Sequence, residues 1–496
     1  MSTSTWIGAA TACCLVAAPS IAGTLSRDAE NLVNALALDG ATVGAAAIDL
    51  DTGELLVDLG GIEPLIPASN QKLLSSGVAL RVMGCDHELV TQFLVDGATL
   101  TVVGAGDPAF ADGGVLEKLD PPVTVESVLD TLASAVASTL EEPLDEIALD
   151  ARVFDDERVH PSWPREQLNA WYCAEVSGLN FHANVLRVYP RPGDKPGQAP
   201  TAAFQPRAPW VDMRIRARTV SKGRNTAWVA RSLTANAFTL MGDVRTPVEI
   251  DVSVTDPAWF FGRVFVDRLA AAGAELSTLD RAEMLRRLSD EDPEPTGTPV
   301  ARVVTPIVDV VNRTNMVSYN LYAEALLKLV GHEITGDPGS WANGAAVIRM
   351  ELAEALLPSR AATTQIADGS GMSRLNRVSP LALCEWLGAM AADPNAGPCF
   401  VASLPRAGEG TLRRRFRDTK LTNEVRGKSG TLNGVRCLSG YVTDLNSGRR
   451  IAYSVLVNDL KPGEQSRDAR ILHERIVDML DNWLAEQTEP ATAVGG

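Results

Sequence analysis

A serine and a lysine in "PASNQKLL" have the types and spacing needed for nucleophilic catalysis. Ser69 and Lys72 are three residues apart, so on a helix both side chains lie on one face. A serine hydroxyl is a poor nucleophile until a base removes its proton. A lysine serves as that base when burial or a neighbouring cation lowers its pKa. Serine is also a common helix cap, and this stretch alone does not separate the two interpretations.

A second pair of polar groups occurs in "VSYNLYAEALL", where Ser318 and Asn320 immediately precede a predicted helix. They place a hydroxyl and a carboxamide two residues apart. Either side chain could instead cap that helix, so the pair carries little weight by itself.

A third group lies in "RGKSGTLNG", on a predicted strand beside a hairpin. Lys428, Ser429 and Thr431 present one ammonium and two hydroxyls, which can line a groove for the backbone and carboxylate of a substrate. Gly430 would let the substrate approach the strand closely. The alternative is an edge strand that carries a protective lysine.

The surrounding pattern predicts two α/β pieces separated by a β-rich section. Strand-like runs at 43–50 and 55–60 precede the helix that contains Lys72. Helical patterns return after residue 303, and an Asn433–Gly434 turn then predicts a hairpin, followed by another strand and a closing helix over 468–484. We therefore expect the N-terminal and C-terminal pieces to form one domain.

Composition excludes several classes of function. The formal net charge of −17 is poorly suited to nucleic acid or anionic lipid, so no nucleic-acid partner is expected. The basic run "TLRRRFRD" (Thr411–Asp418) is interpreted as a solvated face. No segment after the N-terminus is apolar enough to span a membrane. The seven cysteines show no CxxC pairing, which argues against a zinc site or a dense disulfide framework, although one or two disulfides stay open.

The apolar stretch Trp6–Gly23 resembles a secretory signal that ends in small residues. We expect residues 1–23 to be a signal peptide and the protein to be exported to the periplasm or cell envelope. No lysine or arginine precedes the apolar run, so a buried N-terminal segment is the alternative, and lipidation at Cys13 a weaker one. Residues 488–496 are expected to form a flexible tail.

The order of the three motifs points to one family. SxxK, then SxN, then K-[ST]-G is the motif set of penicillin-recognising acyl-serine enzymes. Together with "VVGAGDPAF", "ADGSGMSRLNRVSP" and "SLPRAGEGTLRRRF", it makes the chain resemble the D-alanyl-D-alanine carboxypeptidase/endopeptidases, the low-molecular-mass class C penicillin-binding proteins. The long interval between Lys72 and Ser318 matches the large insertion of that family.

The resemblance implies an α/β fold: a penicillin-binding transpeptidase-like domain, with an antiparallel sheet flanked by helices, split by a large β-rich insertion that forms one or two extra domains. We expect the transpeptidase-like domain at 24–95 and 300–487. An inserted domain II is expected at 96–160 and 251–299, with a nested domain III at 161–250.

The resemblance also implies roles for the motif residues. Ser69 would be the nucleophile and Lys72 its general base. Ser318 would relay a proton to the leaving amine, and Asn320 would orient the substrate amide. Lys428 would lower the pKa of this network and attract the terminal carboxylate of the substrate.

On the third motif, Ser429 and Thr431 would hydrogen-bond the terminal carboxylate, beside Gly430. The backbone N–H groups of Ser69 and Thr431 would form the oxyanion hole. Serine at 429 replaces the more usual threonine and keeps the hydroxyl. No metal or organic cofactor is expected.

The implied function is a serine-type D-Ala-D-Ala carboxypeptidase acting on peptidoglycan stem peptides, with cleavage of D-alanyl cross-links by the same chemistry. β-Lactams should acylate Ser69. The alternatives are a β-lactamase or esterase on the same scaffold, and a catalytically silent protein that binds the cell wall.

Overall fold

The computed structural model describes residues 22–278 and 280–488. Residues 1–21 of the predicted signal peptide and nearly all of the predicted tail lie outside the described residues. None of the helices in the described ranges combines the length and apolar character that a membrane span requires.

The strands of the described chain are β1 (Thr42–Asp49), β2 (Leu55–Leu59), β3 (Glu88–Asp96), β4 (Thr99–Val103), β5 (Glu146–Asp150), β6 (Val185–Arg191), β7 (Thr201–Gln205), β8 (Met213–Ile215), β9 (Arg218–Thr219), β10 (Trp228–Arg231), β11 (Phe238–Met241), β12 (Asp243–Val244), β13 (Ile250–Ser253), β14 (Leu285–Arg287), β15 (Thr298–Pro306), β16 (Glu424–Leu432), β17 (Val435–Thr443) and β18 (Arg450–Asn458). The helices are α1 (Ala22–Asn34), α2 (Gln71–Met83), α3 (Gly113–Leu116), α4 (Val125–Ala137), α5 (Pro257–Ala271), α6 (Ile307–Met316), α7 (Asn320–Thr335), α8 (Trp341–Ala355), α9 (Pro358–Thr363), α10 (Pro380–Ala392), α11 (Gly397–Ser403) and α12 (Glu464–Thr488).

The two ends of the chain share one antiparallel sheet with strand order β16-β17-β18-β1-β2. The predicted Asn433–Gly434 hairpin is confirmed, because Leu432 pairs with Val435 across it. β16 is an edge strand of this sheet. Residues 405–407 hydrogen-bond to its outer side at Val425 and Gly427, and no strand of the described chain lies on that side of its later residues, from Lys428 onward. Both β17 and β18 are buried along nearly their whole length, as expected for strands covered on two faces.

Helices cover both faces of this sheet. α1 and α12 pack on one face, with Leu472, Ile476 and Leu480 of α12 facing the core. α10 packs on the other face and connects the sheet to a layer of helices that includes α2, α6, α7 and α8. The predicted fold class, an antiparallel sheet flanked by helices, is confirmed.

The interval between α2 and α6 builds a second sheet with the order β14-β5-β4-β3-β15. Its core contains a cluster of phenylalanine rings, Phe93, Phe110, Phe181, Phe261 and Phe265, with neighbouring centroids 5.1–6.4 Å apart. β3 and β15 pair along most of their length. The boundaries that we placed at 95/96 and 299/300 fall inside these two strands.

Within this insertion, residues 185–253 form three small sheets with the orders β13-β6-β7, β10-β11-β8 and β12-β9. The strands are two to seven residues long and are separated by Gly- and Pro-containing loops. The β-rich insertion expected from the sequence is thus present.

One disulfide joins the two pieces of the first domain. Cys85 follows α2, and its partner Cys399 lies in α11, 314 residues later. Cys173, Cys384 and Cys437 are buried free thiols.

Candidate active site

Ser69 lies in a 3-10 turn, Ala68–Asn70, that runs directly into α2. Its hydroxyl is 3.2 Å from Nζ of Lys72, one turn later. Asn70 occupies the N-cap of α2, and its side chain makes no capping bond. Ala68 has a φ of 46°, in the left-handed region that costs free energy for a residue other than glycine. The turn therefore directs Ser69 toward Lys72, not toward the end of the helix.

Lys72 is completely buried and donates to three oxygen atoms. These are Oγ of Ser69 at 3.2 Å, Oδ1 of Asn320 at 2.7 Å and the carbonyl of Ser370 at 2.8 Å. Burial lowers the pKa of Lys72 to about 7, although the more distant charge of Glu324 opposes that shift. A substantial share of this amine is therefore neutral at neutral pH and able to accept a proton.

Lys428 on β16 is the second buried ammonium group. It donates to Oγ of Ser318 at 2.8 Å and to the carbonyl of Ser429 at 3.0 Å. Burial, reinforced by the nearby Lys72 charge, holds its pKa well below the ordinary value for lysine. Ser318 has a φ of 62°, and α7 begins at Asn320 without any side-chain cap. Neither polar residue of the second motif serves the capping role considered above.

Gly430 lets β16 pass against the turn that carries Ser69. A Cβ atom at this position would lie 2.8 Å from the carbonyl oxygen of Pro67 and 3.0 Å from the backbone nitrogen of Ser69. Ser429 is half-buried and Thr431 is exposed on the same strand. The structure thus brings all eight predicted site residues into one region, assembled from α2, the start of α7 and β16.

The cleft at Ser69 has a volume of about 450 Å³ and includes a wall from the insertion. Trp171 and Tyr172 line it, and the carbonyl of Tyr172 accepts a hydrogen bond of 2.8 Å from Nδ2 of Asn320. The rings of Trp171 and Tyr319 are 5.1 Å apart. Sequence reasoning missed this wall, and only the adjacent aromatic pair in "NAWYCAE" hinted at it.

Glu324 was also missed, and it organises the loop behind Lys72. Its carboxylate is fully buried and accepts hydrogen bonds from the backbone nitrogens of Gly369 (2.9 Å) and Ser370 (2.8 Å) and from Nε1 of Trp341 (2.8 Å). Burial raises its pKa to about 7. A lone carboxylate inside the apolar run "NLYAEALLKLV" was the sequence signal that could have found it.

Asp368 holds the same loop from within. Its carboxylate accepts hydrogen bonds from the backbone nitrogens of Gly371 (2.9 Å) and Ser373 (2.6 Å), and from Nδ2 of Asn376 (2.7 Å). These bonds fix the position of the Ser370 carbonyl, an acceptor for Lys72.

This arrangement provides the parts for acyl transfer: a serine hydroxyl beside an amine of lowered pKa, and a second hydroxyl beside a second amine. Among the described residues, no three His, Cys, Asp or Glu side chains form a group suited to a metal ion.

Comparisons with known proteins agree with this geometry. The D-Ala-D-Ala carboxypeptidase 3 (S13) family matches residues 25–482. The chain is 29% identical over 469 residues to the D-alanyl-D-alanine carboxypeptidase of Actinomadura sp., covering 88% of this chain and 81% of that one. It is 21% identical over 447 residues to the D-alanyl-D-alanine carboxypeptidase DacB of Haemophilus influenzae, covering 86% and 87% of the two chains.

A solved structure shares the fold. The crystal structure of penicillin binding protein 4 (dacB) from Haemophilus influenzae superimposes with a TM-score of 0.75 at 19% identity, covering 91% of this chain and 99% of that one. The family inferred from the three motifs is confirmed by the match over nearly the whole chain: this protein belongs to the D-Ala-D-Ala carboxypeptidase 3 (S13) family and is a serine-type D-Ala-D-Ala carboxypeptidase of the penicillin-binding protein class.

Proposed function

We propose that Ser69 is the nucleophile that attacks the carbonyl carbon of the penultimate D-alanine in a stem peptide of peptidoglycan. The neutral amine of Lys72 takes the hydroxyl proton as the new Oγ–C bond forms. The backbone N–H groups of Ser69 and Thr431 stabilise the negative charge on the carbonyl oxygen. Collapse of this intermediate breaks the C–N bond, and the proton reaches the departing amine through Ser318.

Hydrolysis completes the cycle. A water molecule gives up a proton to Lys72 and attacks the acyl carbon, the Oγ–C bond breaks, and Ser69 recovers its proton. The products are D-alanine and a shortened stem peptide. The three donor contacts of Lys72 carry this proposal, because they hold a buried amine of lowered pKa against the hydroxyl of Ser69.

Recognition of the substrate follows from the same cleft. Asn320 binds the amide of the substrate, while Lys428, Ser429 and Thr431 bind its terminal carboxylate, and Gly430 leaves room beside them. The same chemistry cleaves D-alanyl cross-links between stems. β-Lactams acylate Ser69, and a Haemophilus influenzae relative of this fold has been solved in complex with a novel β-lactam.

The protein acts outside the cytoplasm, in the periplasm or cell envelope. The apolar N-terminus supports export, as does the disulfide between Cys85 and Cys399, since disulfides form and persist mainly in oxidising compartments.

Two substrates test the proposal. A fluorescent penicillin should label the purified protein, and a D-Ala-D-Ala peptide should release D-alanine. Ser69→Ala should abolish both, whereas Ser221→Ala, at an exposed serine of the insertion, should change neither. Rapid penicillin turnover without peptide cleavage would indicate a β-lactamase instead. Absence of Ser69-dependent labelling and cleavage would indicate a silent wall-binding protein.

A further inference from the structure

Five arginines line a cavity of about 530 Å³ beside the third motif, and four of them make no ion pair with a described carboxylate. We call it the arginine pocket and define it by Arg413, Arg414, Arg436 and Arg470. Two of these residues come from the basic run that the sequence analysis interpreted as a solvated face. Arg436 is on β17 and Arg470 is on α12, so the positive charge comes from three separate parts of the chain.

The charge of the arginine pocket is not neutralised by the described residues. No described carboxylate lies within 4.0 Å of any of its four guanidinium groups. Arg415, the fifth arginine of the lining, is by contrast buried and pairs with Glu474. In a chain with 62 acidic and 45 basic residues, four arginines around one cavity that make no ion pair with a described carboxylate are suited to an anionic ligand, although Arg436 also donates to the backbone carbonyls of Leu432 and Val435.

His473 gives the arginine pocket a buried polar group. It lines the cavity and is only 1% exposed. Burial, together with Arg415, Arg436 and Arg470, holds the pKa of His473 well below its ordinary value. The imidazole is therefore neutral and adds no positive charge to that of the guanidinium groups.

The arginine pocket adjoins the catalytic cleft at Thr431. Thr431 pairs with Arg436 across β16 and β17, and both residues line the cleft of Ser69 as well as the pocket. Ser429, two residues earlier on the same strand, also lines the pocket. If Ser429 and Thr431 hold the terminal carboxylate, the pocket lies beyond that carboxylate, on the leaving-group side of the scissile bond.

We propose that the arginine pocket binds additional carboxylates of the leaving fragment, so that the enzyme prefers a cross-linked or otherwise polyanionic leaving group to D-alanine. This inference rests on the proposed function. Free D-alanine brings one carboxylate, which Lys428, Ser429 and Thr431 already accommodate. A leaving amine that belongs to a diamino acid in a second stem peptide brings further carboxylates, and these reach the unpaired guanidinium groups.

Two matched peptides isolate the charge. Peptides ending in D-Ala-D-Glu and D-Ala-D-Gln differ only by one carboxylate on the leaving residue. We expect kcat/KM to be about tenfold higher for the D-Glu peptide, as for one charge-assisted contact. Arg414→Gln with Arg470→Gln should bring this ratio close to one. Arg475→Gln removes the same charge from α12 but lines a different cavity, so the ratio should persist.

Binding to the Ser69→Ala variant separates this inference from the proposed function. The dissociation constant of that variant for the D-Glu peptide should be about tenfold lower than for the D-Gln peptide, and the two arginine substitutions should remove the difference. Equal affinities, or a preference that survives both substitutions, would overturn the inference. If the unsubstituted protein cleaves neither peptide while Ser69→Ala still binds the D-Glu peptide more tightly, the proposed mechanism is contradicted and the arginine pocket is supported.

Discussion

Lys72 is buried without a charged partner at hydrogen-bond distance. Its three acceptors are a hydroxyl, a carboxamide and a backbone carbonyl, and no described carboxylate lies within 4.0 Å. Hydrogen bonds to neutral oxygens recover only part of the solvation that an ammonium group loses on burial. The loss of solvation therefore outweighs the attraction of Glu324 and Asp368, and the pKa falls from 10.5 to about 7.

The rate at which a penicillin acylates the protein should therefore depend on pH. Because the folded pKa is lowered, the neutral form of Lys72 grows as pH rises through about 7 and is lost below it. We expect the acylation rate to fall about tenfold for each pH unit below that midpoint. Stopped-flow acylation from about pH 5 to about pH 9 measures this, with circular dichroism as the control for folding. A rate that is flat across neutral pH would contradict Lys72 as the base.

At the scale of elements, α7 places two groups behind Lys72. Asn320 and Glu324 are one helical turn apart, so both face the same direction. Asn320 contacts Nζ directly, whereas Glu324 holds the backbone of residues 369–370, whose carbonyl at Ser370 is another acceptor for Lys72. Glu324 is therefore a positioning residue whose charge also raises the pKa of Lys72.

Glu324→Gln should move the pH midpoint of acylation to a lower value. The carboxylate favours the charged form of Lys72, so its removal lowers the pKa of Lys72 further. A merely structural role would lower the rate at every pH without moving the midpoint. Glu333→Gln, at an exposed position of the same helix, is the matched control and should leave the midpoint in place. A midpoint that rises in Glu324→Gln would refute this coupling.

The loop at residues 368–373 meets the Ser69 turn at a glycine. Gly371 has a φ of 82°, and a Cβ atom there would lie 1.7 Å from the carbonyl oxygen of Ala68. Gly371→Ala should therefore displace the turn and reduce acylation at least about tenfold. Gly408→Ala is the control, because Gly408 also has a positive φ, of 89°, but no atom lies within 4 Å of its added Cβ. Equal acylation by both variants would show that the contact is not needed.

The sequence predicted elements better than their contacts. The three motifs, the Asn433–Gly434 hairpin and the closing helix each depend on residues close together in the chain, where spacing and turn chemistry are readable. The wall formed by Trp171 and Tyr172 depends on packing between the insertion and α7, about 150 residues apart, and no local pattern specifies that. The sheet position of β3 is likewise set by its pairing with β15, more than 200 residues later.

At the scale of the molecule, the insertion separates two pieces of the catalytic domain. The active site forms only when these two pieces pack together. Ser69 and Lys72 belong to the first piece, and Ser318 and Lys428 to the second. The pieces are joined by β1 pairing with β18, by packing of α2 against α7 and by the disulfide of Cys85 with Cys399. The insertion then closes one side through the hydrogen bond from Asn320 to Tyr172.

The disulfide should stabilise this reassembly, because it restricts the unfolded chain across a loop of 314 residues. We expect Cys85→Ala with Cys399→Ala to lower the free energy of unfolding by about 3 kcal/mol. Retention of penicillin acylation during a urea titration reports on the catalytic domain alone, which matters in a chain of several domains. A reducing agent should lower the urea concentration at which the wild-type protein loses acylation, and it should leave that concentration unchanged for the double variant. If the two proteins lose acylation at the same urea concentration, the bond does not stabilise the catalytic domain.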